Sequence, residues 1–156
     1  MKKIILICFF TLFLTTNCGF KIVPHTQSGK FEIIEIISLG DKKINYRIKN
    51  KLNFNSTESE KKLIKINLET KKQKLVKEKN IKNEITKYEV NISVKIKYEI
   101  IGIDDSTEFS IYKSGEYEAT SQYSKTLDNE KKLIKLLTDD ISEQILDELS
   151  VRLNGL

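Results

Sequence analysis

The feature that most restricts the fold is an unbroken alternation across residues 87–100. Tyr88, Val90, Ile92, Val94, Ile96, Tyr98 and Ile100 are apolar, while Lys87, Glu89, Asn91, Ser93, Lys95, Lys97 and Glu99 between them are polar. Successive side chains of a β-strand point to opposite faces, so a repeat of two held this long demands one long strand with a dry face and a wet face. A helix would scatter the same residues around its surface. Such a strand is incomplete by itself. It needs neighbours for its backbone and a second layer over its apolar side.

Neighbours are available. Ile64, Ile66 and Leu68 alternate with Lys65, Asn67 and Glu69, and residues 109–123 supply a returning strand that Ser114 and Gly115 interrupt. Between the two long strands, residues 102–107 with Asp104, Asp105 and Ser106 have turn composition. Residues 31–38 are short, β-branched and bounded by Leu39, Gly40 and Asp41, which predicts a mostly buried strand. From Glu69 to Lys82 the alternation decays and lysine dominates, as in a connection.

Two segments change to helical spacing. Asp41 is placed to cap a helix in which Ile44, Ile48 and Leu52 recur every fourth residue, with Tyr46 beside the stripe and a polar cluster at residues 53–57 ending it. Near Asp128 a second helix starts, carrying Leu133, Leu137, Ile141, Ile145, Leu149 and Leu153 until Asn154 and Gly155 stop it. The order β-α-β-β-β-α predicts a two-layer α+β sandwich, with both helices on one face of a four-stranded mixed sheet. Residues 31–156 would form this single domain.

The first residues are of another kind. Lys2 and Lys3 precede an apolar run over residues 4–14, too short for the roughly 20 residues that span a bilayer. This is the layout of a cleaved export signal over residues 1–17, followed by a tether over residues 18–30. It excludes a cytosolic enzyme. Cys8 would leave with the signal, so Cys18 would be the one thiol of the mature chain, and neither a disulfide nor a cysteine metal site could form within it. A sole cysteine directly after the signal is what bacterial lipoproteins present for acylation. Asn17 stands where their signals usually carry a small residue, and the alternative is ordinary secretory cleavage that leaves a free thiol. Two or more acyl chains, at about 0.8 kcal/mol per buried methylene, hold a domain on a membrane stably.

Little catalytic chemistry is on offer. His25 is the only histidine and lies in the tether, so no Ser-His-Asp triad or histidine metal cage can be assembled. Asp104 with Asp105 and Asp139 with Asp140 are adjacent acids of the kind that solvate turns and helix faces. The six glycines are scattered and form no phosphate loop. The expectation is a protein without enzymatic activity, cofactor or metal. Charge is more telling: residues 61–82 hold nine lysines against Glu69 and Glu78, while residues 128–148 hold seven acids against three lysines. Lys71, Lys72 and Lys74 could meet anionic headgroups, their replacement leaving the melting temperature unchanged; the alternative is that a lysine-rich composition fills any free surface. Export disfavours nucleic acid as the partner.

Cys18-Gly19-Phe20, the segment SLGDKKINYRIKNKL, and the end of the chain, where Gly115 and Ala119 to Ser124 precede LLTDDISEQILDELSVRL, together resemble the LPS-assembly lipoprotein family, LptE. The resemblance covers nearly all of the mature chain and lies in the order of its elements more than in any one motif. It implies an outer-membrane lipoprotein, on the periplasmic face, that plugs and helps assemble a large LPS-export β-barrel (LptD) and assists delivery of lipopolysaccharide. It also implies the fold read above. The wet face of the long strand and the following turn would meet the barrel, with Lys95 and Asp105 as contact candidates. Two other readings stay open: an auxiliary lipoprotein of a periplasmic lipid-transport ABC system, and a lipidated hydrolase.

Metabolic labelling with a palmitate analogue is expected to tag the wild-type chain and not Cys18→Ala. An untagged wild type contradicts the lipoprotein reading.

Overall fold

The alternating segment is strand β3 (Ile85–Ile100) of a four-stranded sheet in the order β1-β2-β3-β4. The other elements are β1 (Phe31–Gly40), α1 (Lys42–Leu52), β2 (Lys62–Lys79), β4 (Ser106–Glu118) and α2 (Tyr123–Asn154). This computed structural model describes residues 31–53 and 61–154, without the side chain of Asn154. The signal segment, the tether with Cys18 and His25, most of the polar cluster after Leu52 and the stop at Gly155 lie outside the described residues. β3 pairs antiparallel with β2 and β4, and β1 pairs parallel with β2, with α1 between them in the chain. The sheet is therefore mixed and the fold is the α+β sandwich that the sequence predicts.

Burial follows the alternation. Val90, Ile92, Val94 and Ile96 are buried together with Ile64, Ile66 and Leu68 of β2, and the helices cover them with Ile44, Ile48 and Leu52 from α1 and Leu137, Ile141, Ile145, Leu149 and Leu153 from α2. Asp41 caps α1 by accepting from the amides of Lys43 (3.0 Å) and Ile44 (3.1 Å). Lys49 and Lys51 in its last turn complement the negative end of the helix dipole.

The corner between β1 and α1 is built against Thr70. Gly40 has φ +103°, and a Cβ there would lie 1.9 Å from the Thr70 carbonyl oxygen, so only glycine fits. The Thr70 hydroxyl accepts from the amide of Asp41 at 3.0 Å.

Four details differ from the sequence reading. β1 is an edge strand rather than a mostly buried one: with a single neighbour and a register slip between Ile33 and Glu35, it leaves Ile34, Ile37 and Leu39 at 48%, 58% and 71% exposure. The lysine-rich stretch is not a connection but the second half of β2. β1 stops at the Gly40–Thr70 pair, and residues 71–79 continue beside β3 as exposed residues with no second strand neighbour among the described residues, which is why their alternation fades. β4 runs through Ser114 and Gly115 uninterrupted; Gly115 makes a flat place where a Cβ would lie 2.6 Å from Leu133 Cδ1 of α2. Finally, α2 starts at Tyr123, before Asp128. Its first turn is set by Thr126, whose hydroxyl accepts from the Thr120 amide at 2.9 Å, a polar contact that apolar spacing does not show.

Val94→Asp is expected to cost several kcal/mol in a denaturant titration, because its carboxylate would be buried without a partner. Ser93→Asp, on the wet face, is expected to cost less than about 1 kcal/mol. Equal losses would contradict the register.

Candidate functional site

Since β1 leaves the sheet at Gly40, α1 starts beside the first uncovered residues of β2. A cleft of about 720 Å³ lies between α1 and the N-terminal half of α2. Ile44, Leu127 and Ile134 give it apolar walls, and Lys43, Lys131 and Lys135 stand among its lining cations. Arg47 spans the two helices with a bidentate pair to Asp139, at 2.7 and 3.1 Å. That hydrogen bond holds the Asp139 carboxyl below its ordinary pKa against the opposing effect of burial. Lys43 and Lys135 have no ion pair among the described residues.

Next to the cleft, a charged cluster closes the end of the core. Lys74 Nζ lies 2.6 Å from Glu130 Oε2 and 4.3 Å above the ring of Tyr88, and Tyr117 OH donates to the same Glu130 oxygen at 2.8 Å. Tyr88 and Tyr117 stack with centroids 5.4 Å apart. Burial opposes the charge on both Lys74 and Glu130, but their hydrogen bond prevails, raising the Lys74 pKa and lowering that of Glu130. Burial is also the main effect that pushes the Tyr117 phenol up.

The structure separates the three candidate lysines. Lys71 lies on the open face and pairs with Glu69 at 2.9 Å, whereas Lys72 and Lys74 face the helices and pair with Asp41 (3.0 Å) and Glu130. They do not form one patch, and each already has a carboxylate. Asp139 and Asp140 also go separate ways, Asp140 pairing with Lys113 of β4 at 2.9 Å. Lys95 and Asp105 belong to the open face and to the turn at its end. Lys95 pairs with Glu108 at 2.9 Å, and Asp105 Oδ1 accepts from the Ser106 amide at 2.8 Å.

The open face as a whole is a lattice of such pairs. Lys65 meets Glu35, Lys77 meets Glu89 and Glu116, Lys87 meets Glu78 and Glu116, and Lys97 meets Glu99. Tyr112 stands exposed among them. Sequence reasoning missed Arg47, Glu130 and Tyr117, which are polar groups at long sequence separation from their partners. The one available hint was a lone arginine beside an apolar helical stripe. Among the described residues, no group of histidine, cysteine and acid side chains could hold a metal ion, and no helix is long and apolar enough to cross a membrane.

No family model and no curated protein matches the sequence. Solved structures do share its architecture. The rare lipoprotein B from Shewanella oneidensis superposes with a TM-score of 0.59 at 12% identity, over 76% of this chain and 95% of that one. A Caulobacter crescentus CB15 protein, provisionally described as a lipoprotein, gives 0.60 at 15% identity, over 83% and 95%. An uncharacterized lipoprotein B from Nitrosomonas europaea gives 0.51 at 14% identity, over 85% and 90%. The chain thus has the fold of proteins described as bacterial lipoproteins.

Lys74→Gln is expected to lower unfolding free energy by about 1 kcal/mol, since it strips a half-buried carboxylate of its main partner, while Lys71→Gln leaves stability within about 0.5 kcal/mol. This corrects the expectation that all three lysines can be replaced freely. The depressed carboxyls of Asp139 and Glu130, with ordinary values of 3.8 and 4.5, contribute stability that is present above those values and lost as pH falls below them. Raised Lys74 contributes fully below its ordinary 10.5 and loses its effect as pH rises through its higher folded value. The denaturation midpoint of the wild type should therefore be flat from about pH 6 to about pH 9. Identical midpoints for Lys74→Gln and Lys71→Gln at pH 7 would contradict the cluster's role.

Proposed function

We propose that this chain is an outer-membrane lipoprotein, anchored on the periplasmic face through acylated Cys18, that plugs and helps assemble an LPS-export β-barrel of the LptD kind. In that role it assists assembly of lipopolysaccharide at the cell surface. The observation that carries the proposal is the one-sided sandwich: both helices cover one face of the sheet, and the other is a broad lattice of ion pairs on paired strands. A domain lodged in a wet lumen needs a surface that is polar, rigid and self-neutralised, because unpaired charges would bring a desolvation cost into the contact. Backbone pairing fixes the side chains of β2, β3 and β4 in such an arrangement. Lys95 and Asp105 are the proposed barrel contacts.

Three further lines agree with this reading. The first seventeen residues have the layout of an export signal before a cysteine, the element order and the chain's end resemble the LptE family, and the fold is shared with proteins described as lipoproteins. Binding rather than turnover is the proposed mode of action, since Asp139 and Asp140, an acidic pair that a hydrolase could use, are drawn into separate ion pairs with Arg47 and Lys113. The anionic lipid A region of lipopolysaccharide would have to compete with Glu69, Asp41 and Glu130 for Lys71, Lys72 and Lys74.

Affinity purification of the chain from detergent-solubilised membranes tests the proposal. The expected main companion is a stoichiometric protein whose electrophoretic mobility shifts on heating, as an intact barrel's does. An inner-membrane transporter in its place would favour the ABC-system reading, and the absence of any stoichiometric companion would contradict both.

A further inference from the structure

Among the described residues the sheet has a strand position beside β2 that no strand fills, and the observations say what kind of chain fits it. β1 ends opposite Thr70, whereas β2 continues through residues 71–79 with β3 on one side only. The amide of Ile101 donates to the Leu63 carbonyl at 2.8 Å, so odd-numbered residues of β2 turn their backbone groups toward β3. In an antiparallel ladder the intervening residues turn theirs away. Lys72, Lys74 and Val76 therefore present N–H and C=O groups outward, along the line that β1 has vacated. Their side chains lie on the helix-covered side of the sheet, and the cleft between α1 and α2 reaches Lys72. A strand added here would gain backbone hydrogen bonds from β2 and set every second side chain toward the cleft walls of Ile44, Leu127 and Ile134.

Charge selects the occupant. The edge lysines Lys72 and Lys74 already pair with Asp41 and Glu130, but the cleft they adjoin is lined by six cations, Lys43, Arg47, Lys51, Lys72, Lys131 and Lys135, against the three acids Asp41, Glu130 and Asp139, and Lys43 and Lys135 have no ion pair among the described residues. A second copy of this chain, edge to edge, would place lysine against lysine, the usual means by which exposed edges repel their own kind. We propose that the free edge of β2 and the adjoining cleft form a docking site for an extended, acidic peptide segment of a partner protein, added as a fifth strand with aliphatic side chains at alternate positions. The inference is independent of the barrel reading, because it concerns the helix-side edge and not the open face.

The probe is a fluorescein-labelled peptide of about nine residues alternating valine and glutamate, a length matched to the bare edge, titrated into the full chain and followed by anisotropy and amide hydrogen exchange. Saturable binding is expected, with slowed exchange at Lys72, Lys74 and Val76. N-methylation of alternate amides on the edge that faces β2 should weaken binding at least about tenfold, the effect of losing one or two backbone hydrogen bonds. Val76→Pro, which removes an outward N–H from an edge where proline is tolerated, should weaken the parent peptide similarly and leave the melting temperature within a few degrees. Should that variant fail to fold, the N-methylated peptide on wild type decides alone. Equal binding of parent and N-methylated peptides would overturn the proposal in favour of bare charge attraction. Displacement of the probe by dodecyl phosphate, with no N-methylation effect, would overturn it in favour of a lipid cleft. No binding at millimolar peptide would overturn it outright.

Discussion

Burial of a single face of β3 is the constraint from which the other elements take their places. Val90, Ile92, Val94 and Ile96 leave water only if a second layer covers them, and α1 and α2 do so together. A sheet wet on one side and dry on the other must be largely antiparallel around that strand, and β2 and β4 pair with it in that sense. β1 is the exception. It reaches β2 in parallel because α1 must cross over the covered face between them, and Gly40 is the only residue type that lets the chain turn against Thr70 to begin that crossing.

The same constraint leaves the odd-numbered side of β3 to solvent or to a partner. Lysine-rich composition would make such a face strongly cationic, yet nearly every lysine on it lies within reach of a carboxylate on the same or a neighbouring strand. Exposed pairs of this kind contribute little to stability, so their value lies in fixing charge positions across the surface. On the covered side the ion pairs do different work. Arg47 with Asp139 ties α1 to α2, and Lys74 with Glu130 seals the core where the sheet outruns its first strand.

Periodicity made the core legible. Ile44, Ile48 and Leu52 at helical spacing, and the alternations of β2 and β3, are local patterns whose period follows from backbone geometry alone. What it could not show was partnership across the chain. Lys74 reads as one more lysine until Glu130 is brought to it from α2, and residues 71–79 lose their alternation because neither face there is buried, although the backbone remains a strand. Ser114 and Gly115 looked like a break for a related reason: a glycine that gives Leu133 room is indistinguishable, in sequence, from one that ends a strand. Of the site residues, Lys95 lies on the wet side that the alternation predicts and Asp105 in the turn that composition predicts, while the set of Lys71, Lys72 and Lys74 is divided by the same rule of two, which apolar residues mark only as far as Glu69.

The central claim is that the open face is an occupied surface in the cell, and cysteine accessibility measures this most directly. Ser93→Cys, Lys97→Cys and Ser114→Cys each place one thiol on that face, and a membrane-impermeant maleimide applied to opened cell envelopes can be compared with the same reagent on the purified chain. The account expects all three to react readily in the purified chain and to be shielded in the envelope. Equal labelling in the two settings would show that the face is bare, and would contradict the claim that it is the surface by which this protein acts.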